Sequence, residues 1–268
     1  MSQFNWQQQT IVLTGAAGGL GQALAEALSQ RGARLIMVGR TSGTLDALAK
    51  RLNQTPFVAD LTQQSERARL LKFITEQGAA VTGLINNAAV THEGLFGNAT
   101  ADDIERVITT NLMVPIALTH DFLPVLSANK GWVLNVGSVF GAIGFPGQGL
   151  YCASKFGLRG FSEALNRELL NSDINVMYAA PRAIKTSLNN GLISRLNTTL
   201  KTKQDAPQRV AQQLATQIER QSWLRTLGWP ERLFVRLNGL WPEQVGRSLK
   251  KARDTLYQLL EEYRHEKH

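Results

Sequence analysis

"TIVLTGAAGGLGQALAEALSQRGARLIMVG", residues 10–39, joins two short apolar runs through a glycine cluster and a helix-like segment. "TIVLT" (10–14) reads as a buried strand bounded by a turn signal. "LGQALAEALSQRG" (20–32) repeats apolar residues at helical spacing and stops on a glycine. "RLIMVG" (34–39) is a second buried strand. Strand, helix and strand in this order predict parallel strands linked by a helical crossover.

The pattern continues outward. Strands are expected at "PFVAD" (56–60), "GLINNAA" (83–89), "GWVLNVGS" (131–138) and "INVMYAA" (174–180), with helices over 44–53, 62–77, 101–127 and 150–171. "SWLRTLG" (222–228) is a candidate seventh strand. Strict alternation with right-handed crossovers gives an α/β fold, a doubly wound parallel sheet of Rossmann type with helices on both faces. With no internal repeat and no low-complexity linker, the reading is one domain, 1–228, plus a helical C-terminal extension, 229–268.

The 268 residues are 43% apolar and 19% charged, the balance of a globular chain able to bury a continuous core. Cys152 is the sole cysteine, which excludes an internal disulfide and a cysteine-built metal site. The start, "MSQFNWQQQT", has no signal-peptide pattern, and no apolar run reaches transmembrane length, so a cytoplasmic protein is expected. From Gly191 onward there are 14 Lys or Arg against 8 Asp or Glu, which places most of the +8 net charge there. That excess is either a solvated surface or an attraction to anionic lipid, an acidic carrier or a phosphate-bearing ligand. No nucleic-acid-binding motif accompanies it.

"TGAAGGLG" (14–21) lies between a strand and a helix, where exposed N–H groups and the helix dipole can face a pyrophosphate. Gly15, Gly19 and Gly21 suit a tight turn, a close backbone approach and close helix–strand packing. The alternative is a tight turn with no ligand. After the second strand stands Arg40, not the carboxylate that would hold a ribose 2′-hydroxyl and repel a 2′-phosphate. That favours NADP(H) over NAD(H), unless Arg40 is merely a solvated arginine. Asp60 can accept from an adenine amino group or cap the helix over 62–77.

Ser138, Tyr151 and Lys155 fall in "GSVFGAIGFPGQGLYCASKFG" (137–157). Tyr151 and Lys155, at i and i+4, share a helix face, and Ser138 ends a strand at the ligand-binding edge of such a sheet. A nearby ammonium is expected to lower the phenol pKa from about 10, so that Tyr151 protonates a substrate oxygen held by the Ser138 hydroxyl.

These ordered motifs, "TGAAGGLG", "NNAA" (86–89), Asn111 in "TTNL", Ser138 and "YCASK" (151–155), resemble the short-chain dehydrogenase/reductase family over roughly 10–190. The resemblance implies a catalytic set of Asn111, Ser138, Tyr151 and Lys155, with Lys155 also on the nicotinamide ribose and Asn111 holding a water that relays protons. It implies cofactor contacts from Gly15, Ala17, Gly19, Leu20, Gly21, Asp60, Leu61, Asn87, Ala88, Pro181, Ile184 and Thr186, with no metal. Two departures stand out. Ala89 replaces a glycine, and Arg182 replaces the glycine after Pro181. Arg182 either reaches a phosphate or an acidic substrate, or faces outward.

An NADP(H)-dependent carbonyl reductase or alcohol dehydrogenase is expected, and the resemblance implies a homodimer through helices 101–127 and 150–171, or a tetramer. The alternatives are a catalytically silent cofactor-binding protein and a membrane-surface protein held by its tail. Segment 186–200 stands where relatives carry a substrate lid, and its Leu188, Leu192, Ile193 and Leu196 suggest an apolar substrate. In 229–251, Pro230 and Pro242 each suit a helix start. Leu233, Phe234, Leu237, Leu240 and Trp241 form one stripe there, flanked by Arg232 and Arg236. That helix either packs over the substrate mouth or a partner subunit, or lies on a lipid surface.

Overall fold

The computed structural model describes residues 4–92, 94–189 and 191–265. Among the described residues seven parallel strands form one sheet in the order β3-β2-β1-β4-β5-β6-β7. They are β1 (Thr10–Thr14), β2 (Arg34–Gly39), β3 (Thr55–Val58), β4 (Gly83–Asn86), β5 (Trp132–Val136), β6 (Asn175–Ala180) and β7 (Leu224–Thr226). The helices are α1 (Gly19–Ser29), α2 (Ser42–Leu52), α3 (Gln64–Glu76), α4 (Ala101–Ile108), α5 (Val114–Ala128), α6 (Gly149–Glu168), α7 (Gly191–Thr199), α8 (Pro207–Glu219), α9 (Glu231–Leu240), α10 (Pro242–Ser248) and α11 (Lys250–His265).

β1 shows why the sheet is covered twice. Ile11 and Leu13 face one apolar layer with Leu24 and Leu28 of α1 and Leu214 of α8, while Val12 faces a second layer with Leu70, Leu118 and Phe122. Successive side chains of a strand point to opposite faces, so an uninterrupted apolar strand needs helices on both.

β4 and β5 are shorter than the runs 83–89 and 131–138. Their last residues leave the ladder and turn into the carboxyl edge of the sheet: the Asn87 N–H donates to Thr14 Oγ1, and the Val139 N–H to the Pro181 carbonyl. The helix expected over 101–127 is interrupted at Thr109–Met113 by a π-helical turn. α8 occupies a stretch to which the sequence reading assigns no element. It begins with Pro207 in its first turn and buries Val210, Ala211, Leu214, Ala215 and Ile218.

The described part of the extension forms three helices, α9, α10 and α11. α11 packs Leu256 and Leu259 against Leu192 and Leu196 of α7, the lid segment. Among the described residues no helix is long and apolar enough to cross a membrane.

Candidate active site

The glycine turn after β1 is built by close contacts. Gly15 has φ +64°, a left-handed conformation that glycine adopts without strain, and a Cβ there would lie 2.7 Å from Ala88 Cα. A Cβ on Gly21 would stand 2.0 Å from the Gly15 carbonyl oxygen, so α1 can start this close to the turn only with glycine there. Asn87 holds the same turn, its Nδ2 donating to the carbonyls of Thr14 (2.9 Å) and Gly15 (3.2 Å).

A cavity of about 710 Å³ runs along the carboxyl edge from this turn to α6. It brings together Gly15, Ala17, Gly19, Leu20, Gly21, Arg40, Asp60, Leu61, Asn87, Ala88, Pro181, Ile184 and Thr186 with Ser138, Tyr151 and Lys155. Asn111 stands apart, fully buried behind the wall.

Arg40 is exposed at the end of β2, and its side chain makes no hydrogen bond or ion pair with the described residues. Asp60 does not cap α3, whose N-cap is Gln63. Its Oδ1 instead accepts from the N–H (3.1 Å) and Oγ1 (2.8 Å) of Thr62, a local turn that leaves Oδ2 without a partner among the described residues.

The Tyr151 phenol lies beside the Ser138 side chain, and Lys155 Nζ lies 5.7 Å from the centre of the tyrosine ring. Lys155 is buried, with Nζ donating to the Val136 carbonyl at 2.9 Å. The expected lowering of the phenol pKa is absent here. Burial pushes Tyr151 up to about 12, the neighbouring Ser138 side chain offsetting only part of it. The same burial brings the Lys155 ammonium down to about 8. Desolvation penalises whichever form is charged, so it moves the two groups in opposite directions. Without a ligand, Tyr151 is a neutral proton donor at pH 7.

Asn111 rides on the π-helical turn, a distortion common at functional sites. Its Oδ1 accepts from the Val90 N–H (2.8 Å), and its Nδ2 donates to the Val90 carbonyl (2.8 Å) and Ser154 Oγ (3.1 Å). Ser154 Oγ in turn donates to the Tyr151 carbonyl at 2.8 Å, which ties Asn111 to the helix turn carrying Tyr151.

Arg182 takes neither of its two expected positions. Its guanidinium makes a two-pronged pair with Asp205 (2.9 and 2.8 Å) and a further contact with Glu231 of α9 at 3.2 Å. Its backbone φ is not positive, so arginine replaces the glycine without strain. Asp205 lies in the segment before α8 and Glu231 begins α9, so neither partner is close in sequence.

Two residues escape the sequence reading. Tyr178 of β6 is buried behind the site, its hydroxyl accepting from the Ser138 N–H and donating to the Lys155 carbonyl, both at 3.4 Å. A Cβ on Gly137 would stand 2.0 Å from that hydroxyl, so the glycine and the tyrosine fit together. Gln148 is buried at the cavity wall with Nε2 unpartnered, while its Oε1 accepts from Thr91 Oγ1 at 3.2 Å. A buried, unpartnered amide donor in a cavity-lining residue is the available signal for Gln148, and it exists only in three dimensions.

A doubly wound sheet, a glycine turn opening α1 and a Ser/Tyr/Lys cluster at the carboxyl edge define a nucleotide-binding oxidoreductase fold. A sequence model of the short chain dehydrogenase family matches residues 9–197. The chain belongs to that family. It is 31% identical over 191 residues to the 3-oxoacyl-acyl-carrier-protein reductase FabG of Vibrio harveyi, covering 70% of this chain and 78% of that one. A short-chain dehydrogenase from Sphingobium yanoikuyae, solved with NADPH, is 29% identical with a TM-score of 0.76, covering 90% of this chain and 96% of that one. A short chain dehydrogenase/reductase from Burkholderia phymatum, solved with NAD, shares the fold at a TM-score of 0.82 and 21% identity, with 90% and 96% coverage.

Proposed function

We propose that this protein is an NADP(H)-preferring oxidoreductase that reduces the carbonyl of an apolar substrate and, in reverse, oxidises a secondary alcohol. The observation that carries the reading is the convergence of the Tyr151 phenol, the Ser138 hydroxyl and the buried Lys155 ammonium on one wall of the cavity.

The residues present fit a nicotinamide dinucleotide. The N–H groups opening α1 suit a pyrophosphate, Asp60 Oδ2 an adenine amino group, and the unpaired Arg40 guanidinium a 2′-phosphate. Leu61, Asn87, Ala88, Pro181, Ile184 and Thr186 would line it, and Lys155 would meet the ribose hydroxyls. When bound, the nicotinamide supplies or accepts hydride.

Ser138 donates to the substrate carbonyl oxygen and fixes it beside Tyr151. Tyr151, neutral because it is buried, passes its proton to that oxygen as negative charge develops there. Lys155 stabilises the phenolate left behind, and Asn111 sets the backbone of α6 through Ser154. The apolar lining from Phe145, Leu188, Ile193 and Leu196 supports an apolar substrate. The FabG name of a relative, a reductase of carrier-bound oxoacyl groups, is compatible with this reading.

Residues 1–228 would form the catalytic unit and 229–268 an extension that backs the lid. The exposed Ile104, Met113 and Phe156 on α4, the π-helical turn and α6 support a homodimer through those helices. A cytoplasmic enzyme fits these features. The test is a panel of ketones, aldehydes and secondary alcohols with NADPH or NADH, followed by nicotinamide absorbance. Turnover of an apolar carbonyl with NADPH preferred supports the proposal. Cofactor binding with no turnover across the panel would instead favour a silent cofactor-binding protein.

A further inference from the structure

α9 leaves its apolar stripe uncovered. Leu233, Phe234, Leu240 and Trp241 are 41, 43, 68 and 54% exposed, and Trp229 just before the helix is 67% exposed. The other side of α9 holds it to the domain: Glu231 pairs with Arg182, and Asn238 Nδ2 donates to the Ala142 carbonyl at 2.8 Å. Phe234, Leu237, Trp241 and Val245 line an apolar cleft of about 200 Å³ that carries the stripe across to α10. The expectation that this helix covers the substrate mouth therefore fails for its apolar face. The lid helix α7 is instead backed by α11.

Charge decides what the uncovered face suits. Arg232, Arg236, Arg247, Lys250 and Lys251 are all exposed, and none makes a side-chain hydrogen bond or ion pair with the described residues. The acids of 229–251 are Glu231 and Glu243, and Glu231 is already engaged by Arg182. A symmetric contact with a second copy would bring these cations against themselves, which is unfavourable. An anionic surface meets them favourably. Trp229 and Trp241 stand at the two ends of α9, and tryptophan is enriched where one end of a side chain is apolar and the other wet.

We propose that α9, with the starts of α10 and α11, is a docking surface for an anionic lipid bilayer. Phe234, Leu240 and Trp241 enter the headgroup boundary while the arginines and lysines meet lipid phosphates. The helix spans Glu231–Leu240, too short to anchor irreversibly, so docking is reversible and depends on ionic strength. Glu231, on the domain side of α9, also lines the main cavity, so the docking helix borders the site. The docking stands independently of the redox reading, and delivery of an apolar substrate from the bilayer rests on that reading.

The test is co-sedimentation of the full-length protein with phosphatidylcholine vesicles, with and without phosphatidylglycerol. Binding to the anionic vesicles is expected at about 0.01 M salt and is lost near 1 M, where the screening length falls from about 30 Å to about 3 Å. Arg232→Gln with Arg236→Gln weakens it about 25-fold, about fivefold for each cation removed. Phe234→Glu with Leu240→Glu abolishes it at unchanged thermal midpoint and NADPH affinity, since both side chains are surface groups. The proposal is overturned by a wild type that stays in solution at low salt. Equal binding to uncharged vesicles, or unchanged binding by either double variant, would also overturn it. Light scattering that shows the glutamate variant falling to a smaller oligomer, with no vesicle binding by the wild type, assigns the face to a contact between copies.

Discussion

Arg40→Ala separates the two nicotinamide cofactors. The guanidinium is exposed and pairs with no described residue, so truncating it breaks no internal contact, and stability should change by less than about 0.5 kcal/mol. A hydrogen bond to a charged group contributes about 1.5–3 kcal/mol, and each 1.4 kcal/mol is a tenfold change in affinity. The full range for NADPH is then about 10- to 150-fold. Because Arg40 is open to solvent, screening pulls the value towards the lower end, about tenfold, and added salt shrinks it further. NADH lacks the 2′-phosphate and should change by less than about twofold. Fluorescence titration of each cofactor at two salt concentrations reads all of this. Equal losses for NADPH and NADH, or an unchanged NADPH affinity, would refute the assignment of Arg40 to the phosphate.

Burial brings the Lys155 ammonium down to about 8, so its charge is present below that pH and lost above it. NADPH affinity should therefore fall as pH rises through about 8, and Lys155→Met should remove that inflection as well as most of the affinity; isothermal titration across the pH range is the check. Arg182→Leu leaves the buried Asp205 carboxylate without its two-pronged partner, which should cost about 3 kcal/mol and lower the thermal midpoint by roughly 5–10 °C in calorimetry. Gly137→Ala drives a methyl into the Tyr178 hydroxyl and should destabilise by about 1–3 kcal/mol, read by urea unfolding. Leu256→Ala opens a gap against Leu192 and Leu196, and hydrogen exchange should accelerate in 191–200 and 250–262 more than in the sheet.

The sheet was legible because local apolar runs and glycine punctuation report directly on strands and helix starts. "TIVLTGAAGGLG" folds as read, with Gly15 and Gly21 at contacts no side chain could share. Ser138, Tyr151 and Lys155 were legible too, since one helical turn and one strand end fix their spacing. What was not legible depends on partners distant in sequence. Arg182 meets Glu231, and Tyr178 meets both Ser138 and Lys155, through pairings that no local pattern encodes. The phenol pKa moved opposite to expectation because Tyr151 loses solvent on folding, and burial outweighs the lowering that the Ser138 side chain contributes. The apolar stripe in 229–241 was correctly placed on a helix, but amphipathicity alone does not say which side meets the domain. The contacts of Glu231 and Asn238 decide that.

The central claim is that Tyr151 delivers the proton in a carbonyl reduction. Its most direct test is turnover of NADPH with the best carbonyl of the panel by the wild type and by Tyr151→Phe, with cofactor affinity measured on the same samples. The phenylalanine keeps the ring and removes the donor, so turnover should drop on the order of 10²-fold or more while NADPH affinity stays within about twofold. Near-normal turnover by a folded Tyr151→Phe enzyme would contradict the account.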